Sequence, residues 1–397
     1  MALSPLPPAT KPSLGLLVAL ASTGTLAMHM FVPALPYAAE DLGVGSAAVQ
    51  LSLTLYVLGL ALGQIGYGPV SDALGRRPAV IAALGIFVVG CLLCALAPSL
   101  PWLLAGRLTQ ALGGAGGLAL ARAIARDAAG PEGSQRDISL LNTVMLIGPA
   151  ISPVLGAGVA AYADWRGIFL VLGLLALGTL AATLWSLPET ARHRKPLRFG
   201  QMGRDFATLG RNRRFVCIAL GGAMGSTTTY GYFAAAPFIL HEQLGVPGGE
   251  VGFYVGGILL GALAGTWVSR LRVGHVSRDG FFLLAGLFAI AMAGGFLAAA
   301  WTGMMTPALI FALTLGLMFA AGCISPTGLS ASLDAVPELA GSAAGLFGAA
   351  QMACGALSTF LVGIGPQHDL SCGIVLTGAT ILSLILLWLG RLSPARR

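Results

Sequence analysis

The sequence predicts an all-α integral membrane protein, with twelve transmembrane helices in two six-helix halves. Three observations predict it. The 397 residues are 56% hydrophobic and 9% charged, with a mean hydropathy of +0.85, whereas a soluble domain carries roughly 25% charged residues. So few charges cannot cover a water-facing surface of this size. The charged residues also punctuate long runs that contain none, several exceeding the ~20 residues a helix needs to cross the hydrocarbon core. Finally, Lys and Arg alternate between successive connections with a strong preference for one side.

In chain order the apolar runs place spans at 13–35, 48–70, 79–97, 101–121, 139–161, 167–187, 215–240, 251–269, 281–300, 304–326, 340–364 and 370–390. Barrel strands would be ~10 residues long and would alternate in polarity; these runs are longer and do not alternate. The Pro-rich start, with its single Lys11, leads into a run too long for a signal-peptide core, so the first run is expected to be a span. Connections are short except for 188–214, which carries eight basic residues. It divides the chain into 1–187, a basic linker 188–214, and 215–397. Such a 6+6 layout is common in secondary transporters, whose substrate site lies between the halves near the bilayer midplane.

With the N-terminus placed in the cytoplasm, 20 of the 22 basic residues fall on the inner side; Arg166 lies outside and Arg107 within span four. Both termini are therefore expected to be cytoplasmic. This asymmetry also accounts for the net charge of +7 without a nucleic-acid partner, because basic segments sit beside anionic lipid. All six cysteines fall in apolar runs. Cys91 and Cys94 have CxxC spacing but no second ligand pair, so thiols in helix packing are expected rather than a metal site.

The first inner connection reads Gly68-Pro-Val-Ser-Asp72-Ala-Leu-Gly75-Arg76-Arg77. Its glycines permit a tight turn, and Asp72 can pair with a cation or cap a helix start near an inner gate. Span four carries Gly106-Arg107-Leu-Thr-Gln110-Ala-Leu-Gly113-Gly114, and span five carries Gly148-Pro149-Ala-Ile-Ser-Pro153. Small residues let helices approach, and prolines bend them. The loop resembles the GxxxDxxGRR/K signature of the major facilitator superfamily. The Arg107 segment is similar to its second signature, and Gly148-Pro149 to the motif of its antiporter branch. Pro33-Ala-Leu-Pro36, the run Leu58–Pro69, Arg122 to Asp127, and Trp165-Arg166-Gly-Ile-Phe169 narrow the resemblance to the twelve-span drug:proton antiporters of the bicyclomycin/chloramphenicol-resistance group. The second-half loop at 270–280 is a degenerate counterpart of the first-half signature.

That resemblance implies alternating-access export of a small molecule from a bacterial inner membrane, driven by the proton gradient without a cofactor, by a chain acting as a monomer. Gly68, Asp72, Gly75, Arg76, Arg77, Gly148, Pro149 and Pro153 are its expected gating positions. Proton-coupled uptake of a small nutrient on the same fold is the competing expectation. An intramembrane enzyme is disfavoured, since no HExxH, GxSxG or paired intramembrane acids occur. A nucleotide-driven pump is disfavoured by the missing GxxxxGK[ST] loop.

None of the 15 acids lies deep in a predicted span. The resembled group commonly has an Asp shortly before the Pro-Ala-Leu-Pro sequence; here His29 stands there. His29 and Arg107 are the two ionisable side chains inside the spans, roughly 8 and 9 Å below the outer surface at 1.5 Å rise per residue. Ionisable groups in lipid usually face a cavity. His29 is therefore the expected proton carrier, with Arg107 as its electrostatic partner. The competing reading is a neutral His29 bonded to a backbone carbonyl, with Arg107 reaching out to the surface. The expected substrate surface comprises Thr25, His29, Tyr56, Gln64, Gln110, Asn142, Met145, Tyr230, Phe233 and Gln351. It describes a nearly uncharged cavity suited to amphipathic or neutral drugs.

Overall fold

The computed structural model describes residues 12–191, 199–271, 277–365 and 367–392, and of 128–146 the backbone. Every regular element among the described residues is a helix. Span one begins as Leu14–Met30, capped by the Ser13 hydroxyl, which accepts from Leu16 N–H. It tightens to a 3-10 turn at Val32–Ala34 and resumes as Leu35–Asp41. Pro33 and Pro36, which lack an N–H, sit at the start of each new piece, where that donor would go unused. The span therefore runs to Asp41, beyond the expected end at 35.

Spans two and three are Ser46–Leu74 and Arg76–Ala95, joined at Gly75. Gly75 has φ +107°, a conformation open to glycine. Continuous helical hydrogen bonding then runs from Leu100 to Ser186. As a straight rod, 87 residues would reach about 130 Å. Yet Arg166 Nη2 donates to the Ala97 carbonyl at 2.9 Å, so the segment folds back on itself. One reversal is at Asp164, with φ +61°; Asp tolerates this conformation because its short side chain bonds locally, and here its carboxylate accepts from Trp165 N–H. The connection expected between spans four and five is also helical in its backbone. The Ala-rich stretch 121–129 is made of strong helix formers.

The second half follows the short helix Phe199–Arg211. Span seven is Arg213–Pro237, finishing in a π-helical segment Phe238–Gln243. Span eight is interrupted between Gly248–Gly257 and Leu259–Leu271. Spans nine to twelve are Arg278–Thr302, Pro307–Ala335, Ala340–Gly363 and His368–Leu392. Nine helical segments among the described residues are long and apolar enough to cross a bilayer. One of them, Ile147–Ser186, crosses twice because of the reversal at Asp164. Residues 100–127 and Arg213–Pro237 complete a twelve-helix fold in two halves.

Small residues set the close approaches. Gly24 and Gly114 meet backbone to backbone, and a Cβ at Gly117 would strike the Leu20 carbonyl. Spans one and four therefore pack along a glycine seam, as helices do where lipid gives no hydrophobic drive.

The two halves carry matching ionic ties on the side that bears the 188–214 linker, here termed the linker side. In the first half, Arg76 at the start of span three binds Asp127 at the end of span four at 2.8 Å. In the second, Arg278 at the start of span nine binds Asp334 at the end of span ten, also at 2.8 Å. The ends of spans six and twelve join these ties through Glu189 and Arg391. The internal repeat, weak at residue level in the sequence, is thus explicit in the ties. The 270–280 loop contributes Arg278 although its motif is degenerate.

Candidate functional site: a cavity between the halves

A cavity of about 860 Å³ lies between the halves on the linker side. Spans two, four and eleven wall it, and the helix Phe199–Arg211 closes it with Gln201, Met202, Asp205 and Phe206. On the opposite, far side the halves meet tightly. Thr54 and Thr359 bond at 2.8 Å across spans two and eleven. A Cβ at Gly252 would lie 2.6 Å from the Pro153 carbonyl, and one at Gly256 would strike the Ala150 carbonyl. The structure is therefore shut on the far side, with its cavity toward the linker.

The cavity differs from the nearly uncharged surface expected. Asp72, Arg76, Arg126, Asp127 and Asp205 line it, because its mouth coincides with the loop signature. There Arg76 pairs with Asp72 at 2.7 Å and Asp127 at 2.8 Å and also donates to the Ser71 hydroxyl. Glu189 accepts from the backbone N–H of Arg76 at 2.8 Å and of Arg77 at 3.3 Å. A carboxylate at the first turn of span three satisfies donors that have no intrahelical partner and complements the helix dipole. Arg77 Nη2 in turn holds the Leu184 carbonyl at 2.8 Å. Gly75 is needed here on two counts, its positive φ and the Glu189 carboxylate where a Cβ would be. The expected gating residues Gly68 and Asp72 face the cavity.

Arg107 is fully buried. Its Nη1 donates to the Ala27 carbonyl at 3.1 Å and to Gln110 Oε1 at 2.6 Å. Its guanidinium lies 3.9 Å from the Tyr56 ring centre and 5.2 Å from that of Phe31, so cation–π attraction replaces a counter-ion. The expected depth match with His29 holds: the guanidinium bonds a residue two positions away on span one, about 3 Å along the axis. The expected pairing does not. Ala27 and Phe31 each lie two positions from His29, about 200° around the helix. Arg107 and His29 therefore face opposite sides of span one. His29 turns to the second half, 5.1 Å edge-on from Phe233 of span seven, and its Nδ1 lies 2.7 Å from the Thr25 carbonyl.

Two expected substrate residues are withdrawn from the cavity by these contacts. Tyr56 is buried and donates to the Gly24 carbonyl at 2.7 Å beneath Arg107. Gln110 is buried between spans three and four, where Nε2 bonds Cys91 Sγ at 3.1 Å. Both serve the buried guanidinium. Gln64 lines the cavity. Thr25, whose hydroxyl donates to Ser22 O, half-buried Tyr230, and Gln351, which bonds Ser325, sit farther along the spans. Tyr230 lies against Gly355 with its hydroxyl 3.5 Å from Met352 Sδ. The side chains of Asn142 and Met145 fall outside the described residues. Gly148 and Pro149 precede the contact of span five with span eight, and the Gly148 carbonyl accepts from Ser152. All six cysteines are buried thiols.

Comparison with known proteins agrees with this architecture. The family model of the Major Facilitator Superfamily matches residues 16–359. The chain belongs to the major facilitator superfamily. It is 28% identical over 381 residues to multidrug resistance protein D of Escherichia coli, covering 94% of each chain. It is 25% identical over 344 residues to a bicyclomycin resistance protein homolog of Haemophilus influenzae, covering 84% of each. In three dimensions it resembles a bacterial homolog of the human lysosomal transporter Spinster, at 16% identity and a TM-score of 0.74 over 96% of both chains. The chain is thus a multi-pass membrane protein of a family that carries small molecules, and the resemblance to the bicyclomycin/chloramphenicol-resistance group read from its motifs stands.

Several residues important to this facilitator fold were not singled out from the sequence. Glu189 is a lone acid after Pro188, just past an apolar run; that position was its available signal. Gln50, Tyr37, His241 and His368 form contacts between the halves, and nothing local in the sequence marks them.

Proposed function

We propose that this chain exports small amphipathic or neutral drugs from the bacterial cytoplasm across the inner membrane in exchange for protons. The likeness over 94% of the chain to a multidrug resistance protein carries the reading. The inter-half cavity, shut on the far side, supports it as one end of an alternating-access cycle. On this reading the linker side is cytoplasmic, both termini are cytoplasmic, and the chain works as a monomer without cofactor or catalysis. The proton gradient supplies the drive. His29 is the proton carrier, acting without Arg107 as direct partner. With Nδ1 engaged by Thr25, its Nε2 is the atom that would exchange the proton. Phe233 and Tyr230 on span seven, with Gln64 and Gln351, offer an aromatic and amide surface to the substrate.

The test is efflux from pump-deficient cells with and without a proton gradient, over a panel of drugs. Export that stops when a protonophore collapses the gradient supports the proposal. Gradient-driven accumulation instead would establish uptake. His29→Ala and His29→Gln are expected to abolish coupling, and unchanged proton-coupled efflux in both removes His29 from the mechanism.

A further inference from the structure

The histidines among the described residues, His29, His241 and His368, all sit where the two halves touch. His29 meets Phe233, His241 meets Tyr37 at 5.5 Å, and His368 meets span two. His368 differs from the others in using both ring nitrogens across the seam. Its Nε2 lies 2.8 Å from the Ser46 hydroxyl and its Nδ1 3.4 Å from Gln50 Nε2. The ring stacks on Phe238 at 4.9 Å and 23°. Gln50 is 1% exposed, and its Oε1 is buried without a partner.

This arrangement fits the neutral ring. The Gln50 amide donates to the Nδ1 lone pair, and the proton on Nε2 goes to Ser46. One buried acceptor, Gln50 Oε1, is left over. A proton on Nδ1 changes the accounting. The nitrogen becomes a donor, and a half-turn of the amide brings Oε1 to receive it, since an amide offers an acceptor on one side and donors on the other. The displaced NH2 group then faces the end of span eleven, where the Gly363 backbone packs against the Gln50 amide and the last helical carbonyls lack intrahelical partners. The protonated ring admits only this orientation of the amide and makes a charge-assisted bond to it, whereas the neutral ring can meet either orientation by changing tautomer.

The surroundings admit a proton. A cavity of about 380 Å³ on the far side is lined by Ser46, Glu40, His241 and Glu242, and Ser46 belongs both to it and to the His368 contact. Burial of the ring works against a charge there and is the larger influence; the charged groups that favour it are Glu242, close after span seven, and Asp369, its own neighbour. Both are opposite in sign to a protonated ring. Span two presents Ser46 and Gln50, which are uncharged, and span seven presents Phe238.

We propose that His368 is a proton-binding site that latches the halves together on the far side, with the Gln50 amide turning over to read its charge. A proton arriving from the far side stabilises the shut arrangement, and its loss loosens it. The site rests on the antiport reading for its place in the cycle, in which far-side protons drive the chain toward its linker-side opening.

The test uses the full chain in lipid nanodiscs, without drug or gradient, spin-labelled at Leu96→Cys and Met304→Cys. Both positions are exposed on the far side, one in each half. His29→Gln is included in every sample so that His29 contributes no proton. The distance between labels is recorded from above the ordinary imidazole pKa of ~6.5 well down into acid, because burial works against a charge on this ring. The short-distance, shut population is expected to dominate in acid and to fall with rising pH. For one proton the shut-to-open ratio changes by at most about tenfold per pH unit. His368→Gln, which keeps hydrogen-bonding capacity, is expected to flatten that dependence, whereas His241→Gln retains it. Gln50→Glu is expected to move the midpoint to higher pH, because a carboxylate binds the protonated ring; a merely structural Gln50 would leave the midpoint in place. A flat response before these changes, a response that survives His368→Gln, or a Gln50→Glu midpoint that does not move overturns the proposal. Failure here leaves drug export untouched, because no substrate is present. Absence of export with an intact latch would sink the antiport reading alone.

Discussion

Replacing Gly256 by alanine tests the claim that the far side is held shut by backbone contact between spans five and eight. An added Cβ would strike the Ala150 carbonyl, a main-chain atom inside a helix, so relief requires the helices to separate. Overpacking of this kind costs typically about 1–3 kcal/mol. Where the strain acts on one of two states, that cost lowers the shut-to-open ratio about 5- to 150-fold. Gly252→Ala, 2.6 Å from the Pro153 carbonyl, is expected to act in the same direction. The far-side label pair reports the ratio, and a melting curve reports stability. Gly66→Ala is the control, since a Cβ there meets nothing within 4 Å. A longer far-side distance in Gly256→Ala, with Gly66→Ala unmoved, is the expected outcome. An unchanged distance distribution together with an unchanged melting temperature would refute the reasoning, because the contact would then carry no energy in either state.

Arg107→Ala is expected to destabilise the chain by about 3–5 kcal/mol, since it empties a buried site and strips the Gln110 and Ala27 acceptors of their donor; Arg107→Met, which keeps the bulk and removes the buried charge, is expected to cost clearly less in the same thermal unfolding assay. Glu189→Gln weakens the cap of span three and is expected to lower stability by about 1 kcal/mol, with Glu189→Asp measured beside it to separate charge from reach. Asp127→Asn and Asp334→Asn remove matching ties of the two halves. Arg76 is the less exposed partner, at 14% against 43% for Arg278, so the first loss is expected to exceed the second, which should stay within about 1 kcal/mol.

The fold was legible because lipid is an unforgiving solvent. A run without charges must cross the bilayer as a helix, so spans one and ten could be placed from composition at 13–35 and 304–326, although the second helix runs on to Ala335 past Asp334. Connections were read less well for the same reason. Charges in 122–138 mark the end of a crossing but not the end of helical backbone, which runs on past Ala129 through Gly130, Pro131 and Gly133 against their low helix propensity. The site was legible in depth and not in facing. His29 and Arg107 do share a level, but a difference of two residues turns a side chain to the opposite face of a helix. Tyr56 and Gln110 looked like ligand contacts because polar residues in lipid usually face a cavity; here they were recruited by the buried Arg107 guanidinium. Glu189 and His368 act on partners 113 and 322 positions away, and no local pattern encodes such distances.

The helix Phe199–Arg211 is more than a cover for the cavity. Its 13 residues make a stiff strut of about 20 Å. The strut precedes span seven in the chain, and the Ser342 hydroxyl of span eleven donates to its Asp205 carboxylate at 3.4 Å. Both of its attachments, to spans seven and eleven, belong to the second half. It therefore travels with that half as a shelf, and a rocking motion of the halves carries Gln201, Met202, Asp205 and Phe206 toward or away from span two across the cavity.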